Sequence, residues 1–177
     1  MGEYCFLSQN FHEANQYYLN VEDNINFESS VLYSSIAESN LEIGNFEKSL
    51  SFFLKSYNLN QHDENLIILI YNLYIILGYF DDAESFLIHA SMNNRENIYL
   101  FDTLFYHFLN KKDYLEAIEV LADIYNIDNS GIISKSMNLY DACDDKKLIF
   151  DILDNHYIYY KNINFIRIKF IFSHLFD

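Results

Sequence analysis

Six histidines, His12, His62, His89, His107, His156 and His174, stand singly along the chain. A zinc site needs His or Cys ligands paired at short spacing so that one turn or helix face can present two of them. None of the six has such a neighbour, and Cys5 and Cys143 form no CxxC. The acidic pairs Asp81–Asp82 and Asp144–Asp145 have the side chains for proton transfer. Each falls at the start of a helical pattern, however, where a carboxylate caps free N–H groups and complements the helix dipole. The stretch Asn126 to Met137 around Gly131 has the length of a calcium loop, but Met137 stands where a bidentate glutamate is required. Asp128 and Ser130 read instead as loop caps, and Cys5 and Cys143 as small packing residues. No glycine-rich phosphate loop, HExxH or GxSxG occurs, so the residue types point to no catalytic group, no metal and no cofactor.

Composition restricts the partner as well. Lys and Arg total 11 against 26 Asp and Glu, and a formal charge of −15 repels phosphate backbones, which disfavours nucleic acid. The acid excess is uneven. Met1 to Glu47 carries eight carboxylates and no Lys or Arg, whereas Lys161 to Asp177 carries Lys161, Arg167 and Lys169 against Asp177 alone. The longest apolar run, Leu66 to Leu77, is too short to cross a bilayer and contains Asn72, so it reads as a buried helix with no membrane insertion. MGEYCF has neither the basic start of a secretory signal nor a myristoylation pattern; with two unpaired cysteines, the expected location is the cytoplasm.

The elements behind these residues are helices. No Pro and four Gly leave few chain breakers, and 51% hydrophobic content supplies a core. The decisive feature is a repeat. IGNFEKSLSFFLKS, Ile43 to Ser56, precedes LGYFDDAESFLIHA, Leu77 to Ala90, by 34 residues, and KKDYLEAIEVLADI, Lys111 to Ile124, follows by another 34. Phe46, Phe80 and Tyr114 correspond, as do Ser49, Ala83 and Ala117, then Phe53, Leu87 and Leu121. A weaker copy places Phe11, Ala14 and Tyr18 at a distance of 35. Before each copy lies a second helical pattern: Tyr33, Ile36, Ile43; Ile67, Ile70, Tyr74, Leu77; Phe101, Leu104, Phe108. The unit is therefore a helical hairpin. Gly44 and Gly78 suit the left-handed residue that closes the first helix, Lys112 taking that place in the third copy. The small residues let the two helices approach, and the aromatics are expected to plug the hairpin base.

A 34-residue hairpin with these positions resembles the tetratricopeptide repeat (TPR) family, strongly over residues 30 to 131. The resemblance implies an all-α, right-handed superhelical solenoid of antiparallel helix pairs, about four repeats plus a terminal helix. Its divisions are a partial repeat at 1–28, repeats at 30–63, 64–97 and 98–131, a diverged repeat at 132–160 and a final helix at 162–176, all in one domain. That helix could cap the stack, mediate self-association, or mark where a longer chain was cut. Departures from the family pattern include Tyr71 and Phe105 where Ala37 is small, and Ile124 opposite Ser56 and Ala90.

In this family the first helices line a concave groove that holds partner segments. Carried over, the groove positions are Ser34, Glu38, Leu41 and Glu42, then Asn65, Ile68, Asn72, Ile75 and Ile76, then Tyr99, Asp102, Tyr106, Leu109 and Asn110. The sites where some members clamp a chaperone's C-terminal carboxylate are here Ser34, Glu38, Leu69, Tyr99 and Thr103, with no cation among them. The implied function is a non-enzymatic protein-interaction module taking a protein or peptide segment with apolar anchors and some basic residues. The alternative is a helical arm of a larger protein, such as a glycosyltransferase or a secretion or assembly component. Ile68, Ile75 and Leu109 have a simpler role open to them, packing against neighbouring helices.

Overall fold

A computed structural model describes residues 1–24, 28–160 and 163–176. Among these residues every regular element is a helix, and the chain falls into two compact units, Met1–Asn93 and Asn94–Asp177. The first unit holds α1 (Gly2–Leu7), α2 (Phe11–Asn24), α3 (Ser30–Ile43), α4 (Phe46–Leu59), α5 (Glu64–Ile76) and α6 (Phe80–Asn93), each packed on the next. The second holds α7 (Ile98–Lys111), α8 (Tyr114–Ile127), α9 (Ile132–Ala142), α10 (Lys146–Tyr160) and α11 (Ile163–Phe176). In this unit α11 packs on α8, α9 and α10.

The hairpin turns share one mechanism. Gly44 and Gly78 take left-handed backbone conformations, φ 86° and 79°, and Lys112 does so without the glycine, φ 62°. After each, an N–H reaches back to a carbonyl of the last helical turn: Asn45 to Asn40 O at 2.8 Å, Tyr79 to Tyr74 O at 2.9 Å, Asp113 to Phe108 O at 2.9 Å. This six-to-one bond satisfies carbonyls that the ended helix leaves orphaned. Gln9, φ 61°, makes the same turn between α1 and α2, with Asn10 N–H bonded to Cys5 O at 2.8 Å. Helix starts are set by capping residues. Ser29, Asp63 and Asn97 each accept from N–H groups of the helix they precede.

Inside the hairpins the small residues sit where helices meet. Ala14, Ser49, Ala83 and Ala117 are fully buried, and the Ser49 hydroxyl donates to Ala37 O of the facing helix at 2.8 Å. Phe53, Leu87 and Leu121 fill the core beside them. The aromatic plug is only partly as expected. Phe46 and Tyr114 are half-buried, Tyr114 donating to Ala142 O at 2.9 Å, but Phe80 is 61% exposed. In the α5–α6 hairpin Tyr74 and Phe86 meet instead, ring centroids 5.9 Å apart, so the base is closed from within the helices and the first ring of α6 is left in solvent. The larger residues at the departing positions are accommodated: Phe105 and Ile124 are fully buried.

Candidate functional site

The first helices of the hairpins each turn one row of side chains outward, set by steps of four, three and four residues. On α3 the row is Val31, Ser35, Glu38 and Glu42; on α5 it is Asn65, Leu69, Asn72 and Ile76. In the second unit α7 presents Tyr99, Thr103, Tyr106 and Asn110, and α9 presents Ile133 and Met137. Ser35 and Thr103 are half-buried, the others exposed. Eight sequence-derived positions, Glu38, Glu42, Asn65, Asn72, Ile76, Tyr99, Tyr106 and Asn110, lie in these rows. The other six lie one step around each helix. Ser34, Leu41, Ile68, Ile75 and Asp102 are half-buried there, and Leu109 is buried. Ser34 is turned to α4, its hydroxyl 2.9 Å from that of Ser56.

The two units differ in chemistry. On α1, α2, α3 and α5 there is no Lys or Arg, and the outward apolar residues Leu69 and Ile76 share their row with two asparagines. Glu38 sits in a groove whose other walls come from α1 and α2, and the loss of water there holds its carboxyl above the usual range. In the second unit the Asp102 carboxylate is met by the Lys135 ammonium at 3.1 Å, and Asn138 donates to the Tyr106 hydroxyl at 3.1 Å. Both links tie α7 to α9. Lys135 is buried because Gly131 lets it fold back: a Cβ at Gly131 would stand 3.0 Å from the Lys135 nitrogen.

Burial pushes both cysteine thiols up, away from thiolate, and Cys143 Sγ is spent on Asp145 O at 3.1 Å. Asp128, whose carboxylate accepts from the N–H and hydroxyl of Ser130, is held below its ordinary value by those bonds, as a loop cap would be. Among the described residues no three metal-binding side chains converge, and no helix is long and apolar enough to cross a membrane.

No family model matches the chain, and no curated protein does. Solved structures do. MamA aligns over 96% of this chain and 94% of its own, with a TM-score of 0.62 at 15% identity. YrrB, a TPR protein with an unusual peptide-binding site, aligns over 95% and 88%, TM-score 0.59, at 13% identity. PilF of Pseudomonas aeruginosa aligns over 95% and 78%, TM-score 0.58, at 9% identity. The fold is that of the TPR solenoids.

Sequence reasoning did not single out several of the residues described here. Val31, Ile133 and Met137 complete the outward rows, and the 34-residue spacing from Val31 through Asn65 and Tyr99 to Ile133 was the available signal. Lys135 was hidden for a different reason: its equivalents one, two and three repeats back are Phe101, Ile67 and Tyr33, all apolar or aromatic. Nothing in the repeat pattern marks that position for a cation.

Proposed function

We propose that the chain is a non-enzymatic protein-interaction module whose first-helix rows hold a segment of a partner protein. The observation that carries this reading is the α5 row, where Leu69 and Ile76, 37% and 61% exposed, alternate with Asn65 and Asn72. Exposed apolar side chains on one face with amides between them offer both anchors and backbone hydrogen bonds to an extended or helical segment. Carboxylates at Glu38 and Glu42, with no cation on the same helices, favour a segment that also carries Lys or Arg. In the second unit Tyr99 and Tyr106 are the corresponding anchors, and Asp102 contributes little charge because Lys135 neutralises it. Two free, buried cysteines suit a reducing compartment, and we place the module in the cytoplasm.

Selection from a random-peptide display library tests the reading. Enriched peptides should combine apolar residues with Lys or Arg, and Leu69→Asp with Ile76→Asp, or Tyr99→Ala with Tyr106→Ala, should weaken their binding at least about ten-fold, mainly through faster dissociation. Peptides that bind these folded variants as tightly as the parent would refute it.

A further inference from the structure

The groove at Glu38 takes Val31, Ser35 and Glu38 from the α3 row and its other walls from α1 and α2, which carry no row described above. Helix α1 spans six residues where α2 and α3 each span fourteen, so the C-terminal half of α2 and the N-terminal half of α3 stand side by side along the groove. Phe6, Leu7, Tyr18, Val21 and Val31 line it with Glu38, around a volume of about 720 Å³. Leu7, Val21 and Val31 are 78%, 41% and 75% exposed. Its surroundings are predominantly acidic: α1, α2 and α3 carry Glu3, Glu13, Glu22, Asp23, Glu38 and Glu42 and no Lys or Arg, with Glu22 paired to Lys55 of α4 at 2.9 Å.

The complement lies on the same chain. Helix α11 buries Phe165, Ile168 and Phe172 against its own unit and turns Ile166 and Phe170 outward, 42% and 61% exposed. It carries Arg167 and Lys169 and no carboxylate, in a protein whose formal charge is −15. Arg167 is exposed beside that outward stripe, its guanidinium over the Tyr125 ring, while Lys169 is paired with Asp154. An apolar groove with a carboxylate inside it and an apolar helix face with a guanidinium at its edge match in both shape class and charge.

We infer that this groove receives α11 of a second copy, with Phe170 as the apolar anchor and Arg167 facing Glu38. The two surfaces differ, so the contact is heterologous: each copy offers a groove to one neighbour and a helix to the next, and association runs past the dimer unless the rotation closes a ring. Attraction between an acidic and a basic surface makes it strongest at low ionic strength. This goes beyond the partner reading, since the occupant is a second copy and the groove adds walls from α1 and α2, although the two share Val31, Ser35 and Glu38 of α3.

Sedimentation velocity on the whole chain tests it. The parent should show concentration-dependent association at about 0.05 M salt that weakens at about 0.5 M. Phe170→Asp, at an exposed site, should weaken association at least about thirty-fold with the circular dichroism spectrum unchanged. Glu38→Arg and Arg167→Glu should each weaken it about three- to ten-fold, and mixing these two variants should restore it, because each then offers the other a matched pair. A parent that stays monomeric to about 0.1 mM overturns the inference, as does association that survives Phe170→Asp or charge reversals that the mixture fails to rescue. Enriched peptides in the display selection alongside a monomeric parent would sink this contact alone and leave the partner reading standing.

Discussion

The left-handed turns supply an internal test of the fold, because the same backbone conformation is held by glycine at one turn and by lysine at another. Gly44 has φ 86°, and a Cβ built there meets nothing within 4 Å, so Gly44→Ala adds no clash. Its cost is the left-handed conformation itself, about 1–2 kcal/mol, offset by about 0.4–1 kcal/mol from the less flexible unfolded chain. The net expectation is destabilisation by about 0.5–1.5 kcal/mol. Lys112 has φ 62° and bears the same strain in the native state. Its ammonium stands 3.5 Å from Asp144, but the two side chains are 68% and 94% exposed and water screens the pair, which contributes next to nothing. Lys112→Gly therefore stabilises by about 0.5–1 kcal/mol after glycine's extra unfolded-state freedom is subtracted. Urea denaturation followed by far-ultraviolet circular dichroism reads both; with a slope of about 2 kcal/mol per molar, the midpoints should move in opposite directions by about 0.3–0.7 M. Shifts of the same sign, or none at either site, would show that the turns are not held as described.

Two further outcomes follow from burial. Ala83→Leu and Ala117→Leu, at fully buried meeting points of two helices, should each lower stability by about 1–3 kcal/mol, with the exposed Ser85→Ala leaving the urea midpoint unchanged. Desolvation raises the Glu38 carboxyl above 4.5, so the folded state disfavours its charged form and stability falls as pH rises from the unfolded value through the folded one. Glu38→Gln should accordingly raise the denaturation midpoint at neutral pH and match the parent below about pH 4, measured in high salt; a mutant less stable than the parent at neutral pH would reverse the sign.

The hairpins were legible because their marks are local and repeat. A glycine that must turn left-handed and a small residue where two helices touch are fixed by sterics, and those needs recur every 34 residues whatever the chain binds. The same logic could have reached further. Ser29, Asp63 and Asn97 share the 34-residue spacing, and each caps the helix it precedes. Gln9 was illegible as a turn residue because its side chain gives no sign of φ 61°; only the six-to-one bond of Asn10 reveals it. Phe80 shows the opposite error. Its place in the repeat matches Phe46 and Tyr114, yet Tyr74 and Phe86 meet inside the hairpin and Phe80 stays in solvent, a difference that the spacing alone does not encode.

The outward rows were harder to read because the repeat constrains where they lie and not what they carry. One position runs Val31, Asn65, Tyr99 and Ile133; another runs Glu38, Asn72 and Tyr106. Such a position can change from carboxylate to amide to phenol without disturbing the core, since its side chain points away from the packing that holds the hairpin. The rows one step around have no such freedom. Ile68, Ile75 and Leu109 are half-buried or buried, and Asp102 enters only with a partner, the Lys135 ammonium drawn across from α9. A half-buried carboxylate without that cation would carry a desolvation cost that repeat packing cannot return, so the charge at Asp102 and the charge at Lys135 have to be kept or lost together. Variation along this chain is thus concentrated where the 34-residue rule is silent: in the outward rows, and in the few inward positions where two departures from the rule answer each other.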